Sequence, residues 1–270
     1  MVRTSIRVEG IVQGVGFRPF VYTLATGLGL SGFVGNDADG VFAEVEGPAA
    51  VVTEFVGALR RDAPPLARIE RVATAAVPPL GSSSFAIVAS DPAGKARTLV
   101  SADTATCDDC LAELADPADR RYRYPFINCT NCGPRFTIVH GIPYDRALTT
   151  MAGFAMCEQC RAEYHDPADR RFHAQPVCCP RCGPRLRLLG PLGQVLDGPE
   201  LNGGTELEGT ALEGTALERA GRLLRRGQVL AVKGLGGYHL AALARDEQAV
   251  AALRARKHRE DKPFAVMAAD

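Results

Sequence analysis

Residues 4–20 read TSIRVEGIVQGVGFRPF. The first nine alternate in strand fashion and are rich in β-branched residues, which predicts a strand over 4–12. Glycines then fall at positions 10, 14 and 16, and Pro19 stands where proline is tolerated, in the first turn of a helix. A glycine turn of this kind offers several backbone N–H groups to an anion, and a helix N-terminus behind it adds its dipole. Arg18 supplies a planar, permanently charged fork suited to phosphate oxygens. The spacing matches neither the Gly-x-x-x-x-Gly-Lys-Ser/Thr nor the Gly-x-Gly-x-x-Gly nucleotide loop. Taken alone, the stretch reads equally well as a tight structural turn.

The flanking sequence frames it. Helical spacing over 20–28 ends at Gly29, a C-terminal cap. Strands are predicted at 32–36 and 41–46, joined through Asp39-Gly40, a hairpin signal. Val51, Val52, Phe55, Val56 and Leu59 give residues 48–61 a helical pattern that Pro64-Pro65 ends. Strands at 68–77 and 85–89 complete a βαββαβ order, the signature of a ferredoxin-like sandwich over 1–90. In that frame Gly10, Val12 and Gln13-Gly-Val-Gly-Phe-Arg18 resemble the acylphosphatase family, as do Gly32-Phe-Val-Gly-Asn36 and Asp39-Gly40-x3-Glu44. The resemblance implies that the loop, Gln13, Gly14, Val15, Gly16 and Phe17, holds a phosphate. It further implies that Arg18 stabilises the charge and Asn36 orients the attacking water. Gly35 departs from the family, which often has a basic residue there. The chemistry is reasonable on physical grounds: an acyl phosphate is already activated, so positioning and charge neutralisation suffice.

After a polar connector over 91–106 comes an array of cysteines. Cys107, Cys110, Cys129 and Cys132 form one unit over 107–132; Cys157, Cys160, Cys179 and Cys182 form another over 157–182. The second follows the first at an offset of 50 positions (157 − 107). The repeat extends to Asp116-Pro-Ala-Asp-Arg-Arg121 and Asp166-Pro-Ala-Asp-Arg-Arg171, and to Gly133-Pro-Arg135 and Gly183-Pro-Arg185. Paired Cys-x-x-Cys knuckles predict two structural zinc sites with four thiolates each, closed to substrate. Redox-active or disulfide pairs are the competing reading. Sequential pairing within each unit is the simplest arrangement, with crossed pairing between units also open. Cys178 is expected to be a bystander, and His140, His165 and His173 surface or packing residues.

A Gly-rich stretch with the repeat ELEGT-ALEGT-ALERA reads as a linker over 190–210. Beyond it, a helix is predicted at 211–226, a strand at 229–233, a helix at 247–258 with Asp246 as its cap, and a strand at 263–267. This alternation reads as the start of an α/β domain over 211–270. Lys233-Gly-Leu-Gly-Gly-Tyr-His-Leu240, Leu253-Arg-Ala-Arg-Lys257, Arg259 and Lys262-Pro-Phe-Ala-Val-Met267 resemble the YrdC-like domain. That resemblance implies a nucleotide site, with Lys257, Arg259 and Lys262 on its phosphate side, and Lys233 and His239 as weaker candidates. Without it, the cluster of basic residues reads as a solvated run at a helix C-terminus.

The expected architecture is therefore α+β and multidomain: a ferredoxin-like acylphosphatase domain, two four-cysteine zinc modules and the beginning of an α/β YrdC-like domain. This order resembles the HypF family of [NiFe]-hydrogenase maturation carbamoyltransferases. The resemblance implies cleavage of carbamoyl phosphate, formation of carbamoyl-adenylate from ATP, and transfer to the C-terminal cysteine of HypE, yielding the cyanide ligand. It also implies that a transfer domain lies outside this fragment. A stand-alone acylphosphatase with a zinc-stabilised appendage is the first alternative. A zinc-finger binding module, using Arg120-Arg-Tyr-Arg and Arg170-Arg, is the second. Lys+Arg and Asp+Glu are both 31, which argues against nucleic acid as the main partner. No apolar run suits a membrane span and no signal peptide is read, so a cytoplasmic location is expected.

Overall fold

The computed structural model describes residues 1–91, 98–196, 215–258 and 262–268. The chain divides into two compact units, Met1–Pro184 and Arg185–Asp270.

The first unit opens with a five-stranded sheet. Its strands are β1 (Val2–Ile11), β2 (Ser31–Asn36), β3 (Val41–Gly47), β4 (Arg68–Val77) and β5 (Phe85–Ile87), in the order β4-β1-β3-β2-β5. β5 runs parallel to β2, and the other neighbours are antiparallel. The period-2 alternation of β1 sends Ile6 and Val8 to one face. There they meet Val21 and Ala25 of α1 (Phe17–Gly27) and Val52, Phe55 and Leu59 of α2 (Ala49–Arg61). Each large side chain buried in this way contributes roughly 1.5–3 kcal/mol. On the opposite face Arg3 pairs with Glu44 and Arg7 with Asp37. Gly10 sits at a bulge in β1 with φ +124°, and a Cβ there would fall 2.1 Å from the Arg68 carbonyl oxygen.

The cysteine region completes this unit. Each cysteine unit starts a short helix directly after its first cysteine: α3 (Asp108–Ala115) and α4 (Glu158–His165). Acidic residues, Asp108 and Asp109 in one and Glu158 in the other, fill the first turns and complement the helix dipole. These two helices are not read from the sequence, because eight residues give too little periodicity. Between the modules, Phe136–Gly153 is a chain of turns and single 3-10 turns.

The second unit carries α5 (Ala216–Arg225), β6 (Leu230–Gly234), β7 (Gly237–Ala241) and α6 (Glu247–Arg256). Three sequence expectations need correction here. The helix expected from 211 starts at Ala216, because Thr215 and Glu218 form a capping box that fixes its first turn; residues 211–214 lie outside the described residues. Asp246 caps α6 as expected, accepting from the Ala249 N–H at 3.0 Å, but the helix ends two residues before His258, which turns to φ 48°. Residues 263–267 form no strand, having no ladder partner among the described residues. Conversely, β7 pairs with β6 as a hairpin where the sequence shows only an apolar run after a glycine turn.

Candidate phosphate site and paired four-cysteine centres

The glycine loop runs from β1 into α1. Gly14 and Gly16 have φ 73° and 77°, a backbone conformation that favours glycine. Gly16 occupies the N-cap position of α1, so the N–H groups of the first turn have no intrahelical acceptor and remain available to an anion. Val15 and Phe17 are buried in the core and offer only main-chain groups to a ligand. Gln13 is also committed: its amide donates to the carbonyls of Asp37 and Gly40 at 2.7 and 2.8 Å and accepts from the Tyr144 N–H at 2.9 Å. Its side chain therefore clamps the loop and is not free for phosphate.

Arg18 and Asn36 line one cleft with the loop, about 340 Å³ with its open mouth included. The Arg18 side chain is 9 % exposed. Asn36 ends β2, is 1 % exposed, and its Oδ1 has no hydrogen-bond partner. An unpaired buried amide oxygen is costly unless something donates to it, which suits an acceptor for a bound water.

Half of the cleft comes from outside the ferredoxin-like sheet. Thr130, Arg135, Tyr144, His173 and Gln175 line it as well. A Cβ on Gly14 would sit 3.2 Å from the Tyr144 ring, and one on Gly16 2.6 Å from Thr130 Cγ2. Arg135, 1 % exposed, donates to the Gly14 carbonyl and to the carbonyls of Cys129, Thr130, Cys132 and Pro134. Arg18 Nη2 lies 2.7 Å from Asp145 Oδ1 and 3.3 Å from the Tyr144 carbonyl, while Nη1 donates to Ser90 Oγ at 3.1 Å. His173 takes φ 54°. Burial, with Arg18 and His165 nearby, lowers its pKa to about 4, outweighing Asp145, so the ring is neutral at pH 7. Apart from Arg135, no sequence motif marks these contributors. Arg135, in the repeated Gly-Pro-Arg, is the one a reader had a signal for.

The cysteines gather within their own units, in two groups of four. In the first group the Cys107–Cys129, Cys129–Cys132 and Cys132–Cys110 sulfurs are 3.7, 3.8 and 3.5 Å apart. In the second, Cys157–Cys179, Cys179–Cys182 and Cys182–Cys160 are 3.8, 3.7 and 3.6 Å apart. A tetrahedron around zinc with Zn–S bonds near 2.3 Å has edges of about 3.8 Å. The donor set and spacing therefore fit Zn²⁺ at both places, with all four positions filled by protein. Cys178 belongs to neither group; it is buried, with the Tyr124 hydroxyl and the Asn128 amide against its sulfur.

The repeated Asp-Pro-Ala-Asp-Arg-Arg segments connect the two groups crosswise. Arg120 donates to Cys160 Sγ at 3.3 Å, and Arg170 donates to Cys110 Sγ at 3.1 Å. Arg121 reaches Glu163 and the Cys178 carbonyl; Arg171 reaches Glu113 and the Asn128 carbonyl. Burial raises the Glu113 pKa, but Arg171 and Arg170 overcome it and hold the carboxyl at about 2. Glu163 is likewise lowered by Arg121 and Arg120 against its burial. Four thiolates around one dication carry a net charge of −2, and these guanidinium donors offset it. Arg121 and Arg171, 1 % and 3 % exposed, are structural, which removes them from the nucleic-acid-binding reading of these segments.

Comparison with known proteins follows the same division. The Acylphosphatase family model matches residues 4–87, the HypF finger model residues 106–139 and 156–189, and the model described as Telomere recombination (Sua5, YciO and YrdC) residues 222–270. Carbamoyltransferase HypF2 of Cupriavidus necator is 54% identical over 271 residues, 100% of this chain and 32% of that protein. A crystal structure of full-length HypF in the phosphate- and nucleotide-bound form matches with a TM-score of 0.83 and 44% identity, over 98% of this chain and 32% of that one. This chain belongs to the HypF family. It spans about a third of the length of the HypF relatives it matches. Its first domain is also 41% identical over 88 residues to an acylphosphatase of Thermotoga petrophila, covering 97% of that protein and 32% of this chain.

The basic residues of the HypF-family chain's second unit fall on different elements. Lys233, exposed on β6, stands over the Tyr238 ring, 5.3 Å from its centroid. Lys257 caps α6 and is exposed, as are Lys262 and His239; Arg259 lies outside the described residues. Among the described residues, no helix is long and apolar enough to cross a membrane.

Proposed function

We propose that the cleft hydrolyses carbamoyl phosphate, giving carbamate and inorganic phosphate. The observation that carries this reading is the pairing, in one glycine-looped cleft, of a nearly buried arginine with a buried asparagine whose amide oxygen has no partner. The loop N–H groups and the Arg18 guanidinium receive the phosphoryl oxygens and neutralise charge that develops on them. Asn36 Oδ1 accepts a hydrogen from the attacking water and fixes its approach to phosphorus. The P–O bond to the carbamoyl group breaks, and the carbamate leaves as an anion that needs no proton. No strong general base is required.

The domain pattern and the HypF relatives extend this reading. In it, carbamate is joined to ATP as carbamoyl-adenylate in the YrdC-like domain, with Lys233, Lys257, Arg259 and Lys262 on the nucleotide side. The carbamoyl group then passes to the C-terminal cysteine of HypE, in the cytoplasm, for [NiFe]-hydrogenase maturation. The residues present divide by role into 1–90 for hydrolysis, 107–132 and 157–182 for zinc, and 211–270 for the nucleotide. Zinc, where bound, cross-links the four cysteines within each module and takes no part in bond breaking.

Phosphate release from carbamoyl phosphate tests the first step. Arg18→Ala and Asn36→Ala are each expected to lower kcat by about 100-fold or more, the range for removal of one charge-stabilising or positioning group. Wild-type turnover in Arg18→Ala defeats the assignment.

A further inference from the structure

We infer that Asp145, from the segment between the two cysteine modules, is a positioning residue for Arg18. The inference deepens the hydrolytic reading above and rests on it. Arginine carries five N–H donors. Two are hydrogen-bonded to protein, one on Nη2 to the Tyr144 carbonyl at 3.3 Å and one on Nη1 to Ser90 Oγ at 3.1 Å, while Asp145 Oδ1 forms an ion pair with Nη2 at 2.7 Å. The Nε hydrogen and one Nη1 hydrogen are left for a phosphoryl group. Protein contacts therefore fix the plane and direction of the guanidinium before any ligand arrives.

The backbone that carries the carboxylate is itself anchored. Its neighbour Arg146 donates to the carbonyls of Gln175, Val177 and Phe154 at 2.7, 2.9 and 2.7 Å. The Arg146 N–H reaches Gln175 Oε1 at 2.8 Å, and the Tyr144 N–H reaches Gln13 Oε1 at 2.9 Å. Residues 144–146 thus tie the phosphate loop to a stretch of the second module that ends two residues before Cys179. A carboxylate carried on an anchored backbone and paired with the arginine preorganises its donors, and misplacement by about 1 Å can cost on the order of 100-fold in rate.

The charge of Asp145 separates this role from a simple plug. A carboxylate that merely occupies the phosphate position opposes anion binding, so its removal raises affinity and turnover together. A positioning carboxylate behaves oppositely. In the 270-residue chain, Asp145→Ala is expected to lower kcat for carbamoyl phosphate about 100-fold, with KM and inhibition by inorganic phosphate changed only a few-fold. Asp145→Asn, which keeps an acceptor oxygen in the same place, is expected to restore kcat to within about tenfold of wild type. Wild-type or raised kcat in Asp145→Ala overturns the inference, as does loss in Asp145→Asn equal to that in Asp145→Ala. If Asp145→Ala fails to fold, the isosteric Asp145→Asn decides: its kcat within about tenfold of wild type at unchanged KM supports positioning, and lowered KM with raised kcat overturns it. Arg18→Ala run alongside isolates the underlying reading. Turnover surviving in Arg18→Ala removes the hydrolytic site itself, whereas loss there with normal Asp145→Ala removes only the positioning role.

Discussion

Replacing Arg170 by alanine tests the crosswise connection between the modules. Arg170 lies in the second module, yet its guanidinium donates to Cys110 Sγ of the first, 3.1 Å away, and pairs with Glu113 at 2.6 Å. Removing a partner that hydrogen-bonds a metal ligand lowers metal affinity by roughly 10- to 100-fold. That range corresponds to about 1.4–2.7 kcal/mol, the size of one hydrogen bond to a charged group. Glu113 stays held by Arg171, so the effect is expected at the lower end. The loss should therefore fall on the site made by Cys107, Cys110, Cys129 and Cys132. Arg120→Ala should weaken the other site, through Cys160. Loading the chain with cadmium gives one ¹¹³Cd resonance per site, assigned with Cys110→Ser and Cys160→Ser, and a chelator titration reads each affinity. Arg170→Ala should release the first resonance early and leave the second near its wild-type midpoint. If Arg170→Ala instead weakens the Cys160 site, or both variants weaken the same site, the crossed reasoning fails.

Two further outcomes follow from the cleft. Gly16→Ala places a Cβ 2.6 Å from Thr130 Cγ2 at φ 77°; it should cost about 1–2 kcal/mol in backbone conformation alone and lower phosphate release, read by urea unfolding and turnover, and an unchanged midpoint and rate would count against the tight loop contact. His173, with its pKa lowered to about 4 against an ordinary value near 6.5, should make stability fall as pH drops from about 6.5 to 4, because the unfolded chain then binds the proton that the folded chain excludes; an NMR titration with a His173 midpoint near 6.5 would refute the burial argument.

The ferredoxin-like half was legible because its signals are local. Alternation in Val2–Ile11, the glycines at 14 and 16, and the Asp39-Gly40 turn each act over a few residues, and the sheet pairs them as the pattern implies. The cysteine groups were legible for a different reason: duplication printed the same spacing twice. Asp145 was not. It stands in an irregular stretch without periodicity, and its neighbour's bond to Arg18 spans 126 positions. No local rule brings such segments together; only the folded surface of both modules does. The β6–β7 hairpin was hidden by its own composition, since Gly-rich turns beside apolar runs fit several pairings. The expected strand at 263–267 shows the converse, an apolar sequence that joins no sheet among the described residues.

The crosswise arginines obey a rule of their own. Arg120 touches Cys160, and Arg170 touches Cys110; Arg121 touches Glu163 and the Cys178 carbonyl, and Arg171 touches Glu113 and the Asn128 carbonyl. Moving either partner of one pair by 50 positions forward or back produces its counterpart in the other. That reciprocity is the property of a two-fold isologous interface, in which residue i meets j and j meets i. The paired centres thus have the contact pattern of a symmetric homodimer written into one chain. A single copy cut free would keep a cysteine group without its donor and a donor without its cysteine group, and its simplest remedy would be to find a second copy of itself.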